Sequence, residues 1–184
     1  MMFNDRQKKE LLALARQAIE TRFTKDVIIY PDDEAYNVQS GIFVTLHKHG
    51  ELRGCIGYIK GFKDLVPSIV EMARAAAFQD PRFPKVREDE LKDLRIEISL
   101  LSKMLLVLDT KEIEIGRDGL LLNHPYGSGL LLPQVPVEWN WDLPTFLNQI
   151  CYKADLPSGS WKDDKAQLYR FSAEIFSEVE QNSD

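Results

Sequence analysis

The stretch GIFVTLHKHGELRGCIGY, residues 41–58, decides the fold class. Ile42, Val44 and Leu46 alternate with Phe43, Thr45 and His47, and Leu52, Ile56 and Tyr58 repeat the two-residue period after His49-Gly50. That period belongs to half-buried β-strands, and the glycine between the two runs supplies the left-handed residue a short hairpin loop needs. Both apolar sets must face one core, because a slip of one residue sends a whole set to solvent. The expected register sets Leu46 opposite Leu52 and Ile42 opposite Ile56, across a three-residue loop, Lys48-His49-Gly50. It pairs Cys55 with Phe43, Arg53 with Thr45 and Glu51 with His47. Cys55 and Arg53 then share the less apolar face, roughly 7 Å apart.

Working outward, Asn4 and Gln7 have capping-box spacing, and Leu11, Leu12, Ala15, Ala18 and Ile19 recur at helical intervals. Residues 27–30 are a short β-type segment closed by Pro31. A helix is expected from an Asp64 cap to the stop at Asp80-Pro81, with Pro67 tolerated in its first turn. Residues 94–101 alternate as a half-buried strand. Strands at 119–122 and 129–132 flank a turn at Pro125-Tyr126-Gly127-Ser128, and their unbroken leucines predict burial on both faces. Asp142 caps a helix to about Lys153, and residues 168–176 alternate as one last strand. The polar tail, residues 177–184, is expected to fray. Helices and strands mix without strict βαβ alternation, which predicts an α+β fold with mixed or antiparallel sheets and flanking helices.

The chain has 184 residues, enough for one domain, and its net charge of −6 argues against a broad phosphate-binding surface, so nucleic acid is not an expected partner. The polar residues after Met1-Met2-Phe3 do not form a signal peptide, and no apolar run reaches the roughly 20 residues of a membrane span. Two cysteines, Cys55 and Cys151, make no disulfide framework, which points to a reducing, cytoplasmic setting. The basic residues Lys60, Lys63, Arg74, Arg82, Lys85 and Arg87 interleave with Glu71, Asp80, Glu88, Asp89 and Glu90, the pattern of a mixed solvated surface.

Cys55 and Arg53 are the candidate catalytic pair, since a neighbouring guanidinium favours the nucleophilic thiolate. Against this stands the usual fate of free cysteine as a small buried hydrophobe. Gly54 and Gly57 are candidate binding residues, because a ligand or another backbone can approach them closely. Arg82 and Glu97 are further candidates, Glu97 as a general base if partly buried, although a strand's solvated face and a helix-terminating turn at residues 80–83 are the plainer explanations. Gln134 and Glu138, between a leucine strand and a capped helix, occupy a junction that ligands favour. The tryptophans Trp139, Trp141 and Trp161 are expected to pack lobe against lobe. His47, offset from Cys55 by four residues on the order of 13 Å, is too far to act as its base. His47, His49 and Cys55 do not supply four tetrahedral ligands, so no metal site is expected, and the cofactor cannot be read from the chain.

The hexapeptide Leu52-Arg53-Gly54-Cys55-Ile56-Gly57 resembles the signature of the AmmeMemoRadiSam system protein A family, whose human relative is named for the Alport-syndrome, midface-hypoplasia and elliptocytosis chromosomal region. Similar segments are AAAFQDPRF at residues 75–83, IEISLL at 96–101, GLLLPQV at 129–135, and Trp141-Asp142 with Phe146, Leu147 and Cys151. The likeness runs from about residue 7 to residue 178. It implies a single family domain with a larger and a smaller lobe forming a cleft lined by the hexapeptide; residues 36–85 are expected to form the smaller lobe. It also implies partners, a Memo-like protein and a radical S-adenosylmethionine protein. It assigns no reaction, and His47, His49 and His124 lie outside its pattern. Two functions stand open: a thiol-dependent enzyme or substrate-handling subunit, and a non-catalytic adaptor using the same hairpin.

Overall fold

The structure is a computed structural model that describes residues 3–179. Its elements are α1 (Asp5–Glu20), β1 (Gly41–Lys48), β2 (Glu51–Tyr58), α2 (Leu65–Phe78), β3 (Leu94–Leu101), β4 (Leu105–Leu106), β5 (Gly119–His124), β6 (Gly127–Leu131), α3 (Gln134–Glu138), α4 (Leu143–Lys153), β7 (Gln167–Phe171) and β8 (Ala173–Ser177). Two four-stranded sheets with helices make an α+β fold, as the mixed periodicities predict. The described residues divide into two compact units, residues 3–101 with 174–179, and residues 102–173. Residues 36–85 lie inside the first unit.

In the first unit the strand order is β2-β1-β3-β8. Ile42, Val44 and Leu46 of β1 and Ile96, Ile98 and Leu100 of β3 are buried on one face with Leu11, Leu14, Ile19, Leu65 and Ile69 of α1 and α2. Each such fully buried side chain contributes about 1.5–3 kcal/mol of transfer free energy. The capping box at the start of α1 forms as the spacing predicts: Asn4 Oδ1 accepts the Gln7 N–H at 3.0 Å and Gln7 Oε1 accepts the Asn4 N–H at 3.0 Å.

The hairpin register differs from the expected one by two residues. Ile42 pairs with Tyr58, Val44 with Ile56, Thr45 with Cys55 and Leu46 with Gly54; a bulge then shifts the ladder so that His47 faces Leu52 and Lys48 faces Glu51. Apolar alternation cannot detect a shift of two, because it preserves every face. The loop is the two-residue turn His49-Gly50, both with positive φ (52° and 81°), as a type I′ hairpin requires. The bulge leaves Arg53 as the extra residue and turns Leu52 outward, 42% exposed.

Three other expectations change. Residues 27–30 form no strand, and Val27 and Ile29 are exposed. The run 168–176 is two strands: β7 joins the second sheet and β8 the first, with the break at Ser172. The tail is anchored at its start. Glu178 accepts from Arg16 Nε (2.6 Å), Arg16 Nη2 (2.6 Å) and the Ile96 N–H (2.9 Å). The rest of the tail, residues 180–184, lies outside the described residues.

In the second unit the order is β4-β7-β5-β6. Leu120, Leu121 and Leu122 of β5 are all buried, as their unbroken run predicts. Leu120 and Leu122 cluster with Phe146, Ile150 and Cys151 of α4, whose cap Asp142 accepts the Thr145 N–H at 2.9 Å. Trp139 is 68% exposed and stacks on Trp141.

Candidate functional site

β2 is the outer strand of its sheet, so alternate amides and carbonyls along it need partners beyond the ladder. At Cys55 those partners come from the segment after α2. The Cys55 N–H donates to Asp80 Oδ2 at 2.9 Å, and Arg82 Nη2 donates to the Cys55 carbonyl at 3.1 Å. Arg82 also closes a fork on Asp80, Nε to Oδ1 at 3.0 Å and Nη2 to Oδ2 at 2.7 Å. The Asp80 side chain is 1% exposed, and the Arg82 guanidinium holds its carboxyl well below the usual range. Asp80-Pro81-Arg82 thus does more than end a helix: it closes the open edge of the hexapeptide.

Gly54 and Gly57 are required by close packing. A Cβ on Gly54 would lie 2.3 Å from the Ala76 carbonyl of α2, and one on Gly57 would lie 2.1 Å from the Ile42 carbonyl and 2.5 Å from the Phe43 ring. Of the two approaches their bare backbone allows, another part of the chain takes the space.

Arg53 does not serve Cys55. Its guanidinium donates to Glu90, Nε to Oε1 at 3.1 Å and Nη2 to Oε2 at 3.0 Å. Lys48 Nζ (2.9 Å) and the Arg87 N–H (3.0 Å) reach the same carboxylate. Glu90 is buried, and Arg53 above all draws its pKa down to about 2. The acidic run 88–90 is therefore not wholly a solvated surface, and its third residue ties the hairpin tip to the chain before β3.

Cys55 is half-buried, and the Thr45 hydroxyl donates to its Sγ at 3.2 Å. Burial raises the thiol's pKa more than the Thr45 hydrogen bond and the charge of Arg82 lower it. The neutral thiol is the stable form at pH 7, the reverse of what a nucleophile beside Arg53 would show. Across the strands Cys55, Thr45 and Glu97 form one row, and Gly57, Phe43 and Ser99 the next. The observed register puts His47 two residues from the Thr45–Cys55 pair rather than four, and the hydroxyl of Thr45, not an imidazole, touches the sulfur.

The sequence-predicted residues thus separate into groups. Cys55, Arg82 and Glu97 belong to one polar face with Thr45, which periodicity marks only as a strand position. Arg53 belongs to the Glu90 cluster. Gln134 and Glu138 are the first and last residues of α3 in the second unit. His124 is also there, its Nε2 3.4 Å from Asp163 Oδ2. Among the described residues no group of three or more His, Cys, Asp or Glu is arranged to hold a metal ion. No described helix is long and apolar enough to cross a membrane.

The AMMECR1 family profile matches residues 12–176. Protein TK0174 of Thermococcus kodakarensis is 45% identical over 181 residues, covering 91% of this chain and 88% of the relative. A protein of Methanothermobacter thermautotrophicus is 42% identical over 180 residues, covering 92% and 93%. The crystal structure of the uncharacterized protein PH0010 from Pyrococcus horikoshii superposes with a TM-score of 0.87 at 40% identity, over 96% of this chain and 93% of that one. With the profile spanning both units and relatives matching nearly end to end, the chain belongs to the AMMECR1 family.

Proposed function

We propose that the chain is a non-catalytic docking module of the AmmeMemoRadiSam type. It presents Glu97 and the half-exposed Arg82, on the face that holds Cys55, to a Memo-like or radical S-adenosylmethionine protein. The observation that carries this reading is the state of the cysteine. Its thiol is held neutral by burial, and the arginine two residues before it is paired with Glu90. The closed edge of β2 points the same way, because hydrogen bonds at Cys55 go to Asp80 and Arg82 and the motif's glycines are filled by its own fold.

Alkylation by iodoacetamide at pH 7 tests the chemistry: Cys55 reacts more slowly than free cysteine, and Cys55→Ala binds the partner with unchanged affinity. Arg82→Ala weakens binding, because the guanidinium is half-exposed at that face. A Cys55 that reacts much faster than free cysteine, with Cys55→Ala abolishing turnover of a partner's product, would restore the thiol-dependent enzyme.

A further inference from the structure

The turn between β5 and β6 is held by a buried histidine. β5 ends at His124, β6 begins at Gly127, and these two residues pair across the ladder, so Pro125 and Tyr126 make the whole turn. Two-residue hairpins favour primed turns, which need positive φ at the first central residue or at both. Proline fixes φ at about −65°, and Tyr126 also keeps a negative φ. The turn is therefore unprimed, with a twist that suits a hairpin poorly.

Its support comes from a side chain. The Tyr126 N–H donates to His124 Nδ1 at 3.3 Å, as an amide does to an Asn or Asp two residues before it. The exposed Tyr126 ring lies on the imidazole, with centroids 5.3 Å apart.

That hydrogen bond sets the tautomer. Nδ1 accepts, so the neutral ring carries its proton on Nε2. Nε2 is buried 3.4 Å from Asp163 Oδ2, in ion-pair range but without a well-formed hydrogen bond. Asp163 lies in the connection from α4 to β7. Its Oδ1 accepts the Lys165 N–H at 2.9 Å, a bond that holds its carboxyl below the ordinary range, so the group beside the ring is charged. Among the described residues Asp163 is the one carboxylate in ion-pair range of His124, and α4 and β6 bring no acidic residue. Of the neighbouring cations, Lys153 of α4 is exposed, Lys162 lies over the Trp161 ring, and Arg170 of β7 turns to Glu112. With its side chain 5% exposed and Nδ1 occupied, the ring offers no nitrogen to a substrate, so the arrangement acts on the fold and not on a reaction.

A second proton on the ring must go to Nδ1. There it turns the acceptor of the Tyr126 amide into a donor, and two N–H groups then oppose each other. The ring also gains a full charge beside the Asp163 carboxylate. Protonation thus exchanges the support of the turn for an ion pair with the α4–β7 connection.

We propose that His124 is a proton-operated latch on the β5–β6 turn. The neutral ring holds Tyr126; the imidazolium releases the Tyr126 amide and pairs with Asp163. The latch belongs to the second unit and draws nothing from the docking reading.

Nuclear magnetic resonance of the full chain, titrated from about pH 8 to about pH 5, tests it. Long-range proton–nitrogen spectra read the tautomer and charge of His124, and hydrogen exchange reads the Tyr126 amide. At the alkaline end the ring carries its proton on Nε2 and the amide is protected. As the ring takes its second proton, that protection, corrected for the intrinsic pH dependence of exchange, falls about tenfold with the same midpoint, the equivalent of one ordinary hydrogen bond. His124→Asn keeps an acceptor for the Tyr126 amide and cannot titrate, so its corrected protection stays flat. The native titration decides by itself, whatever the stability of the variant. A proton on Nδ1 at the alkaline end, a ring that stays neutral to the acid end, protection that survives the titration, or an equal fall in His124→Asn overturns the proposal.

Discussion

Glu90→Gln removes one charge from the centre of the cluster that holds the hairpin. The Glu90 side chain is 8% exposed and accepts from Lys48, twice from Arg53, and from the Arg87 amide. Its pKa falls from 4.5 to about 2, and at about 1.36 kcal/mol per unit that is on the order of 3 kcal/mol of stability. Breaking a buried ion pair by removing one partner costs a similar amount, about 3–5 kcal/mol, because the other charge is left uncompensated. The folded pKa is depressed, so this contribution is complete above the unfolded value of 4.5. It drains away as pH falls toward the folded value of about 2. At pH 7 the variant is expected to lose about 3 kcal/mol, and the gap between variant and native chain should close steadily between pH 5 and pH 2. Urea unfolding at a series of pH values, read by circular dichroism at 222 nm, is weighted toward the first unit, which contains the two longest helices, α1 and α2. All three tryptophans, Trp139, Trp141 and Trp161, belong to the second unit, so their fluorescence reports that unit separately. A loss below about 1 kcal/mol at pH 7, or a gap that is the same at pH 6 and pH 2.5, would refute the buried-hub account.

Gly54→Ala places a methyl group against the Ala76 carbonyl, and β2 or α2 must shift to admit it. Overpacking of this kind costs about 1–3 kcal/mol, so a melting curve unchanged by the substitution would show that the glycine serves something other than packing. Glu178→Ala strips Arg16 and the Ile96 amide of their shared acceptor, and should cost the first unit about 2 kcal/mol. The tryptophan fluorescence of the second unit should not change, and loss of both signals together would contradict the division into units.

Periodicity and capping chemistry made most of the elements legible. The two-residue alternation of β1 and β3, the helical spacing of α1, and the caps Asn4 and Asp142 are local signals, and each appears where the residues place it. Errors arose where a local pattern is compatible with two tertiary outcomes. The alternation of residues 168–176 is satisfied equally by one strand or by two strands in different sheets, and only long-range pairing divides it at Ser172. Charge pattern alone likewise makes no distinction between Glu90, buried among donors, and Asp89, exposed beside it.

The same division holds for the hairpin. By itself the sequence determined that residues 41–58 are two strands, that Ile42, Val44, Leu46, Ile56 and Tyr58 face one core, and that Cys55 lies on the other face; Leu52, expected with that core, is turned outward by the bulge. These follow from a period of two. Whether the ladder sums to one register or to another two residues away is invisible to that period, and it was decided by a two-residue turn and a bulge at Arg53. Only the tertiary structure showed that Arg53 turns to Glu90, that Arg82 and Asp80 reach Cys55 from beyond α2, and that the glycines are filled by Ala76 and Phe43. Those contacts join residues 14–37 positions apart, and their partners are chosen by packing and by the need of buried polar groups for hydrogen bonds.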